Sequence, residues 1–462
     1  MGGMKVYLET LGCQMNKLDS ELLAGALRAD GHEIIADRTA ADAVVYNTCS
    51  VRRHAEDKVH SRIGADAKRK RHHRPRLIIA VIGCMAQRLG AALRRRYPEV
   101  DVVCGPSRLG ELPALLAAAA GGEAAIAVAP ERRDAPQPPA EPPDALDLAR
   151  DPTATPNAAQ AYVRVARGCD NFCTYCIVPY VRGPEVSRDP ARIAEEVRRL
   201  VDAGRSEITL LGQTVNRYRR RADGRLVRFS DLLARLSPID GLRRLRFVTS
   251  HPLEFTDDIL EAMRDLPNVC EYVHCPAQSG SDAVLKRMNR RYTRAAYDDL
   301  VDRTRAIVPG VVLAGDFIVG FPGETEDDHA ASADLIRRSG YKNSFVFKYS
   351  PRDGTAAART LTDDVPEAVK RRRNNELLAV QAETGLAHHE HHVGQTLEVL
   401  VEGPSARAAR RPDTAPGATQ LTGRTRGDHI VVFDADASLA GRYVDVQITG
   451  ATALTLFGQL RQ

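Results

Sequence analysis

Short apolar runs alternate with stretches of helical period through the first 110 residues. Val6-Tyr7-Leu8, the run 43–46 and the run 77–82 read as strands, while Leu18, Leu22, Leu23 and Leu27, closed by Gly31, lie on one helical face. This β–α alternation predicts a doubly wound parallel sheet. It resumes at Ala161, with strand candidates at 162–166, 207–211, 245–249, 271–274, 311–319 and 344–349 and a helix opened by Pro190. Six such units predict a partial β/α barrel, open enough for a large substrate, whose working face is the carboxyl end of its strands. After residue 390 the runs 396–401, 420–424, 430–433, 443–448 and 453–459 follow one another without helices, the pattern of a small closed β-barrel. The expectation is an α/β chain with an N-terminal domain at 4–120, a central one at 155–388 and a barrel at 391–462. Its 462 residues allow about three domains, each able to enclose its own core.

Composition adds a linker and a compartment. From 121 to 154 the chain turns to Ala, Pro and charge, with eight prolines between Pro130 and Pro156, and reads as a semi-rigid, solvated connection. The opening Met1-Gly-Gly-Met-Lys5 is no apolar signal segment, and the Ala-rich stretch 114–129 is broken by Gly121, Gly122 and Glu123. A cytoplasmic monomer with reduced thiols and no membrane association is expected. The net charge of +5 is modest, but basic residues bunch at 68–76, 217–221, 286–294 and 370–373. Each run is dense enough to meet a phosphate backbone, or equally to be a solvated surface.

The cysteines change the picture most. Gly12-Cys13, Asn47-Thr48-Cys49 and Gly83-Cys84 each close a strand, separated by 36 and 35 residues (49 − 13 and 84 − 49), one β–α unit apiece. All three should therefore meet at one sheet edge, where doubly wound folds bind ligands. One such cysteine alone would be a small buried hydrophobe, but three at equivalent positions can share a metal. Cys104 breaks that spacing and is left out. Cys169, Cys173 and Cys176 form a second trio within eight residues, directly after the first strand of the central domain. A cubane iron–sulfur cluster normally takes four thiolates, so three leave one iron for another ligand such as S-adenosylmethionine. A structural zinc is the alternative, though it would want paired C-x2-C elements and a fourth ligand. Cys270 and Cys275 read as core residues. The segment 388–392, His-His-Glu-His-His, resembles a metal tract but reads as an exposed helix end for want of partners.

The run 167–179, Arg-Gly-Cys-Asp-Asn-Phe-Cys-Thr-Tyr-Cys-Ile-Val-Pro, followed by Arg182-Gly-Pro-Glu-Val-Ser-Arg188, resembles the methylthiotransferases of the radical S-adenosylmethionine superfamily. Leu11 to Asn16, Asn47 to Cys49 and Gly83-Cys84 match the contexts in which that family holds an auxiliary cluster. The resemblance implies two 4Fe-4S clusters, on Cys169/Cys173/Cys176 and Cys13/Cys49/Cys84, with S-adenosylmethionine beside Tyr175. The motif Leu210 to Tyr218 adds Gln213 and Asn216 as cofactor-binding residues, and Gln278 to Ser281 is a further family motif. His274-Cys275-Pro276-Ala277 departs from the commoner His-Leu-Pro-Val wording. Leu400 to Gly403 and Gly423-Arg-Thr425 resemble a TRAM domain, which implies RNA binding, with Arg407, Arg410 and Arg411 available to phosphates. Asn47 to Arg52, Ala55 to Val59 and Gly212 to Tyr218 look most like the members that methylthiolate N6-isopentenyladenosine beside the anticodon of tRNA. Relatives act on threonylcarbamoyladenosine or a ribosomal-protein aspartate. An external electron donor and a sulfur source are implied but not identified by the residues. A non-catalytic, metal-stabilised RNA-binding protein is the reading from another class.

Overall fold

The computed structural model describes residues 3–50, 53–130, 145–151, 159–406, 408 and 419–461. The first domain is a parallel sheet of β1 (Lys5–Leu11), β2 (Glu33–Ile35), β3 (Ala43–Thr48), β4 (Ile78–Gly83), β5 (Val102–Cys104) and β6 (Ala125–Ala127), in the order β2–β1–β3–β4–β5–β6. Every residue of β3 and β4 is buried, because helices cover both faces. Val45, Ala80 and Ile82 pack with Leu18 and Leu22 of helix Gln14–Ala29 on one side. Val44, Tyr46, Ile79 and Val81 pack with Val59 and Ile63 on the other, the two-residue period of a strand. The strand order reverses between the parallel neighbours β1 and β3, so the connections leaving their carboxyl ends part to opposite sides and open a crevice there.

The central domain begins with β7 (Gln160–Arg164), followed by the short antiparallel pair β8 (Ala166–Arg167) and β9 (Val186–Ser187). Beside β7 lies β10 (Glu207–Leu211); a hairpin of β11 (Arg219–Ala222) and β12 (Arg225–Arg228) precedes β13 (Arg244–Val248). The strands β7, β10 and β13 form one parallel sheet, and β14 (Tyr272–His274), β15 (Val312–Val319) and β16 (Asn343–Lys348) form another. A Leu245–Val269 bridge joins the two. These are the six barrel strands read from the sequence, around one large apolar core that includes Ile208, Phe247 and Phe317.

The C-terminal strands β17 (Thr396–Pro404), β18 (Thr419–Arg424), β19 (Ile430–Ala435), β20 (Tyr443–Ala451) and β21 (Leu456–Leu460) close a barrel. Its separate core includes Val399, Leu421, Phe433 and Ile448.

Both ends of the expected linker 121–154 belong to the fold instead. Ala125–Ala127 adds the sixth strand, pairing with Val102–Cys104. Ala145–Leu148 is helical and sends the fully buried Asp147 to Arg164 at 2.6 Å. Arg167 and Arg188 crowd the same carboxylate at 3.7 and 3.8 Å, which explains why an acidic residue in a polar stretch is held inside. Residues 131–144 and 152–154 lie outside the described residues, as do Arg407, Arg410 and Arg411. No helix among the described residues is long and apolar enough to cross a membrane.

Candidate active site

Each strand of the first domain that carries a candidate ligand ends in a turn that sequence dictates. Cys13 is the extended residue before helix Gln14–Ala29, and a Cβ at Gly12 would come within 2.9 Å of the Cys49 Cβ. Gly12 therefore lets β1 and β3 deliver their cysteines side by side. Asn16 and Asn47 lock that approach: Asn16 Nδ2 donates to Asn47 Oδ1 at 2.8 Å, and Asn47 Nδ2 donates to the Asn16 carbonyl at 2.9 Å. Gly83, at φ 90°, turns β4 into the helix opened by Cys84; any side chain there would meet the Thr48 carbonyl at 2.5 Å.

The second trio sits in the loop after β8. Gly168, at φ 72°, starts the loop where a Cβ would strike the Pro184 carbonyl. The loop is pinned from the opposite side, with Thr174 N–H donating to the Met288 carbonyl at 3.1 Å and Asn289 Nδ2 to the Phe172 carbonyl at 3.0 Å. Phe172, Thr249 and Gln278 all hold left-handed backbone, at φ 47°, 68° and 70°. All three stand on one cavity wall, and strain of this kind persists where surrounding structure over-determines it.

That cavity, of about 370 Å³, lies between the two parallel-sheet domains and is lined by all six cysteines: Cys13, Cys49, Cys84, Cys169, Cys173 and Cys176. Tyr175, Gln213, His251 and Ser250 line it as well. Each trio is served by one buried guanidinium. Arg182 Nε donates to Cys84 Sγ at 3.2 Å and its Nη2 to Asp19 at 3.0 Å. Arg290 donates to Cys173 Sγ at 3.4 Å and to the Pro276 carbonyl at 3.0 Å. A hydrogen bond from Cys49, helped by the charge of Arg182 and opposed by burial, holds the Cys13 thiol down to about 5. Burial pushes the Cys84, Cys169 and Cys176 thiols up.

These features fit thiolate-bound iron–sulfur groups. Thiolates are soft ligands suited to such clusters, a bound metal overcomes the cost of deprotonating a buried thiol, and the two arginines offset the charge that results. Gln213 Oε1 and Ser250 Oγ are buried on the wall without a hydrogen-bond partner among the described residues, so two polar groups there remain to be satisfied by a bound molecule.

The other predicted site residues divide. Tyr175 and Gln213 are on the cavity wall, and the Tyr175 ring meets Phe321 edge-on at 6.5 Å. Asn216 is not among the lining residues. Its Nδ2 donates to the His251 carbonyl and its Oδ1 accepts from His251 N–H, both at 2.9 Å, so it braces a wall residue from behind. His251 stands in Ser250-His251-Pro252, a polar strand end that the sequence marks without assigning it a role. Arg182, inside the motif 182–188, and Arg290, inside the basic run 286–294, gave no signal that they are buried against sulfur. Cys104 is buried in the apolar core and donates to the Arg108 carbonyl, away from the cavity. Cys270 and Cys275 are buried, as read from the sequence.

Similarity to known proteins follows the same division of the chain. Residues 5–105 match the model of Uncharacterized protein family UPF0004, 163–336 the Radical SAM superfamily, and 390–460 the TRAM domain. A tRNA-2-methylthio-N(6)-dimethylallyladenosine synthase of Rhodopirellula baltica is 47% identical over 458 residues, covering 99% of this chain and 95% of that protein. Proteins of the same name from Moorella thermoacetica and Phocaeicola vulgatus are 44% and 41% identical, each over 98% of this chain and at least 95% of their own. The chain belongs to this synthase family. Among solved structures, the radical S-adenosylmethionine methyltransferase TsrM from Kitasatospora setae, with cobalamin and a [4Fe-4S] cluster bound, shares the fold at TM-score 0.54 and 16% identity over 90% of this chain and 77% of its own. The family membership extends over all three domains described above.

The basic runs resolve unequally. Arg69, Lys70 and Arg71 pair with Asp66, Asp101 and Glu99, and Lys370, Arg372 and Arg373 with Asp363, Glu326 and Glu324. Arg290 is buried, Arg294 pairs with Asp298, and Arg217 pairs with Glu254. The hairpin β11–β12 differs. It exposes Arg219, Arg220, Arg221, Arg225 and Arg228 immediately after the Gln213 wall segment, and no salt bridge within the described residues neutralises them.

The segment 388–392 departs from its expected exposure. His389 is 1% exposed and His388 meets His429 of the barrel, because the helix Glu367–Glu390 ends against the third domain rather than in solvent.

Proposed function

We propose that this protein converts N6-isopentenyladenosine beside the anticodon of tRNA into its 2-methylthio derivative. The observation that carries the proposal is the meeting of both cysteine trios in one cavity between two domains. Cys169, Cys173 and Cys176 would hold one 4Fe-4S cluster with S-adenosylmethionine beside Tyr175 and Gln213, and Cys13, Cys49 and Cys84 would hold the other. When bound, these groups supply radical cleavage of an unactivated C–H bond, sulfur for insertion at that carbon and, from a second S-adenosylmethionine, the methyl group.

The chain's own residues do the rest. Arg182 and Arg290 compensate the thiolate charge at each trio, and their hydrogen bonds to sulfur tune it. The Leu253 N–H donates to His251 Nδ1 at 3.3 Å, which places the proton of the neutral ring on Nε2 and fixes a donor at the wall. Apolar walls, including Val248, Phe345 and Phe347, keep water from reactive species. Phosphates of the tRNA meet the unneutralised arginines of β11–β12, with the TRAM barrel as the second RNA-binding element, so that a nucleoside projects into the cavity.

Nucleoside mass spectrometry of tRNA from cells lacking this protein tests the substrate. Loss of 2-methylthio-N6-isopentenyladenosine, with accumulation of its unthiolated precursor, is expected. Retention of that nucleoside with loss of the methylthio form of threonylcarbamoyladenosine would move the assignment to that substrate. For the division of labour, Cys173→Ala is expected to abolish S-adenosylmethionine cleavage, whereas Cys49→Ala keeps cleavage and stops sulfur insertion. Cleavage surviving Cys173→Ala would refute the assignment of the second trio.

A further inference from the structure

A second group of metal-ligating side chains lies outside the cysteine cavity, where the last helix of the central domain meets the barrel. His388 comes from the last turn of that helix, His392 from the turn that leads out of it toward β17, and His429 from the turn between β18 and β19. One ligand nitrogen from each lies within 4.8 Å of the other two. His388 Nε2 and His429 Nε2 are 2.9 Å apart with the rings stacked, and the His392 ring centroid is 4.6 Å from that of His429. His429 is 3% exposed; the other two are half-buried.

Hydrogen bonding orients the trio. Gln395 Nε2 donates to the His391 carbonyl, which fixes the orientation of its amide, so Gln395 Oε1 accepts at 3.2 Å from His392 Nδ1. The Nδ1 of His392 therefore carries its proton, and Nε2 presents a lone pair. Nδ1 of His429 is taken by Thr425 Oγ1 at 2.9 Å, leaving its Nε2 facing His388. Bonds of this kind to the outer ring nitrogen set the tautomer and aim of a histidine that binds metal. The neighbouring ammonium of Lys342 pairs with Asp428 at 2.7 Å, so its charge is locally balanced. Burial lowers the basicity of all three rings, that of His388 to about 4, so they are neutral near pH 7. Direct packing satisfies such a group poorly, because two Nε2 atoms share at most one proton.

We propose that His388, His392 and His429 bind a divalent transition-metal ion of the zinc class, which ties the end of the helix to the barrel. Imidazole suits zinc, copper and nickel, and three such ligands leave a fourth position for water. Because His388 lies on the helix of the central domain and His429 inside the barrel, the ion binds only when the barrel is docked, and so stabilises that arrangement. The site is independent of the reaction proposed above.

The test uses the full chain carrying its iron–sulfur clusters, given Zn²⁺ and desalted. One zinc per chain is expected, with iron content unchanged and a zinc-edge X-ray absorption spectrum showing only nitrogen or oxygen neighbours at about 2.0 Å. His392→Ala, changed at a half-exposed position, and His388→Ala should each keep their iron and lose the retained zinc. In the unaltered chain zinc should raise the melting temperature, and in His392→Ala it should not. No retained zinc, sulfur neighbours at about 2.3 Å, or retention unchanged in both variants would overturn the proposal.

Discussion

His251 shows how one side chain records the character of the site around it. Burial, with Arg290 and Arg217 nearby, holds its imidazole well below the usual range, at about 2. The unfolded chain binds a proton there near pH 6.5 while the folded chain does not, so folding loses stability as pH falls below 6.5 and goes on losing it toward the folded value. Between pH 6.5 and 5.5 the loss from this residue is about 1 kcal/mol. His251→Asn, which keeps an acceptor for Leu253 N–H, should flatten that part of the stability profile in thermal melts at the two pH values. An equally steep profile in the variant would place the titration elsewhere, His388 and His429 being the other strongly depressed imidazoles.

At the level of elements, motif and contact part company in Gln278 to Ser281. Only Gln278 reaches the cavity. Gly280 N–H donates to Ser332 Oγ at 2.9 Å and Ser281 caps the helix Asp282–Arg287, so the rest of the motif docks a loop onto helix Glu326–Ser339. A Cβ on Gly280 would sit 2.1 Å from the Ala331 carbonyl. Gly280→Ala should therefore cost about 1–3 kcal/mol, read as a lower denaturation midpoint, with Gln278→Ala far milder. The strand pattern was legible where apolar runs were long, as in β3, β4 and β15, because burial on both faces leaves continuous apolar sequence. Three-residue β2 and β6 were not legible, since edge strands of that length carry no period. Cysteine convergence could be read because ligand position follows strand order. The roles of Arg182 and Arg290 could not, because an arginine looks the same in sequence whether it faces phosphate or a buried sulfur.

Arginines cross between domains at both junctions of the molecule. Arg244 donates to the Arg424 carbonyl at 2.8 Å, and Arg246 to the carbonyls of Arg426 and Thr425 at 2.7 and 2.5 Å, with Glu207 beside both guanidinium groups. Arg246→Met takes from Glu207 its nearer guanidinium, leaving it Arg244 at 3.6 Å and the Gln160 amide, strands two carbonyls at this buried junction and should cost about 3–5 kcal/mol. Faster proteolysis between the helix Glu367–Glu390 and β17 is the expected readout; an unchanged cleavage rate would mean the barrel is held by other contacts. The opposite junction works through Arg164 and Arg182, both bound to Asp19 at 3.0 Å. Arg182 closes the five-residue helix Val178–Arg182, which begins two positions after Cys176, and its guanidinium rests on Cys84. A single rigid turn thus spans the gap between the trios, so a shift of Cys176 levers the group seated on Cys84, and neither end of the reaction chamber can be disturbed in isolation.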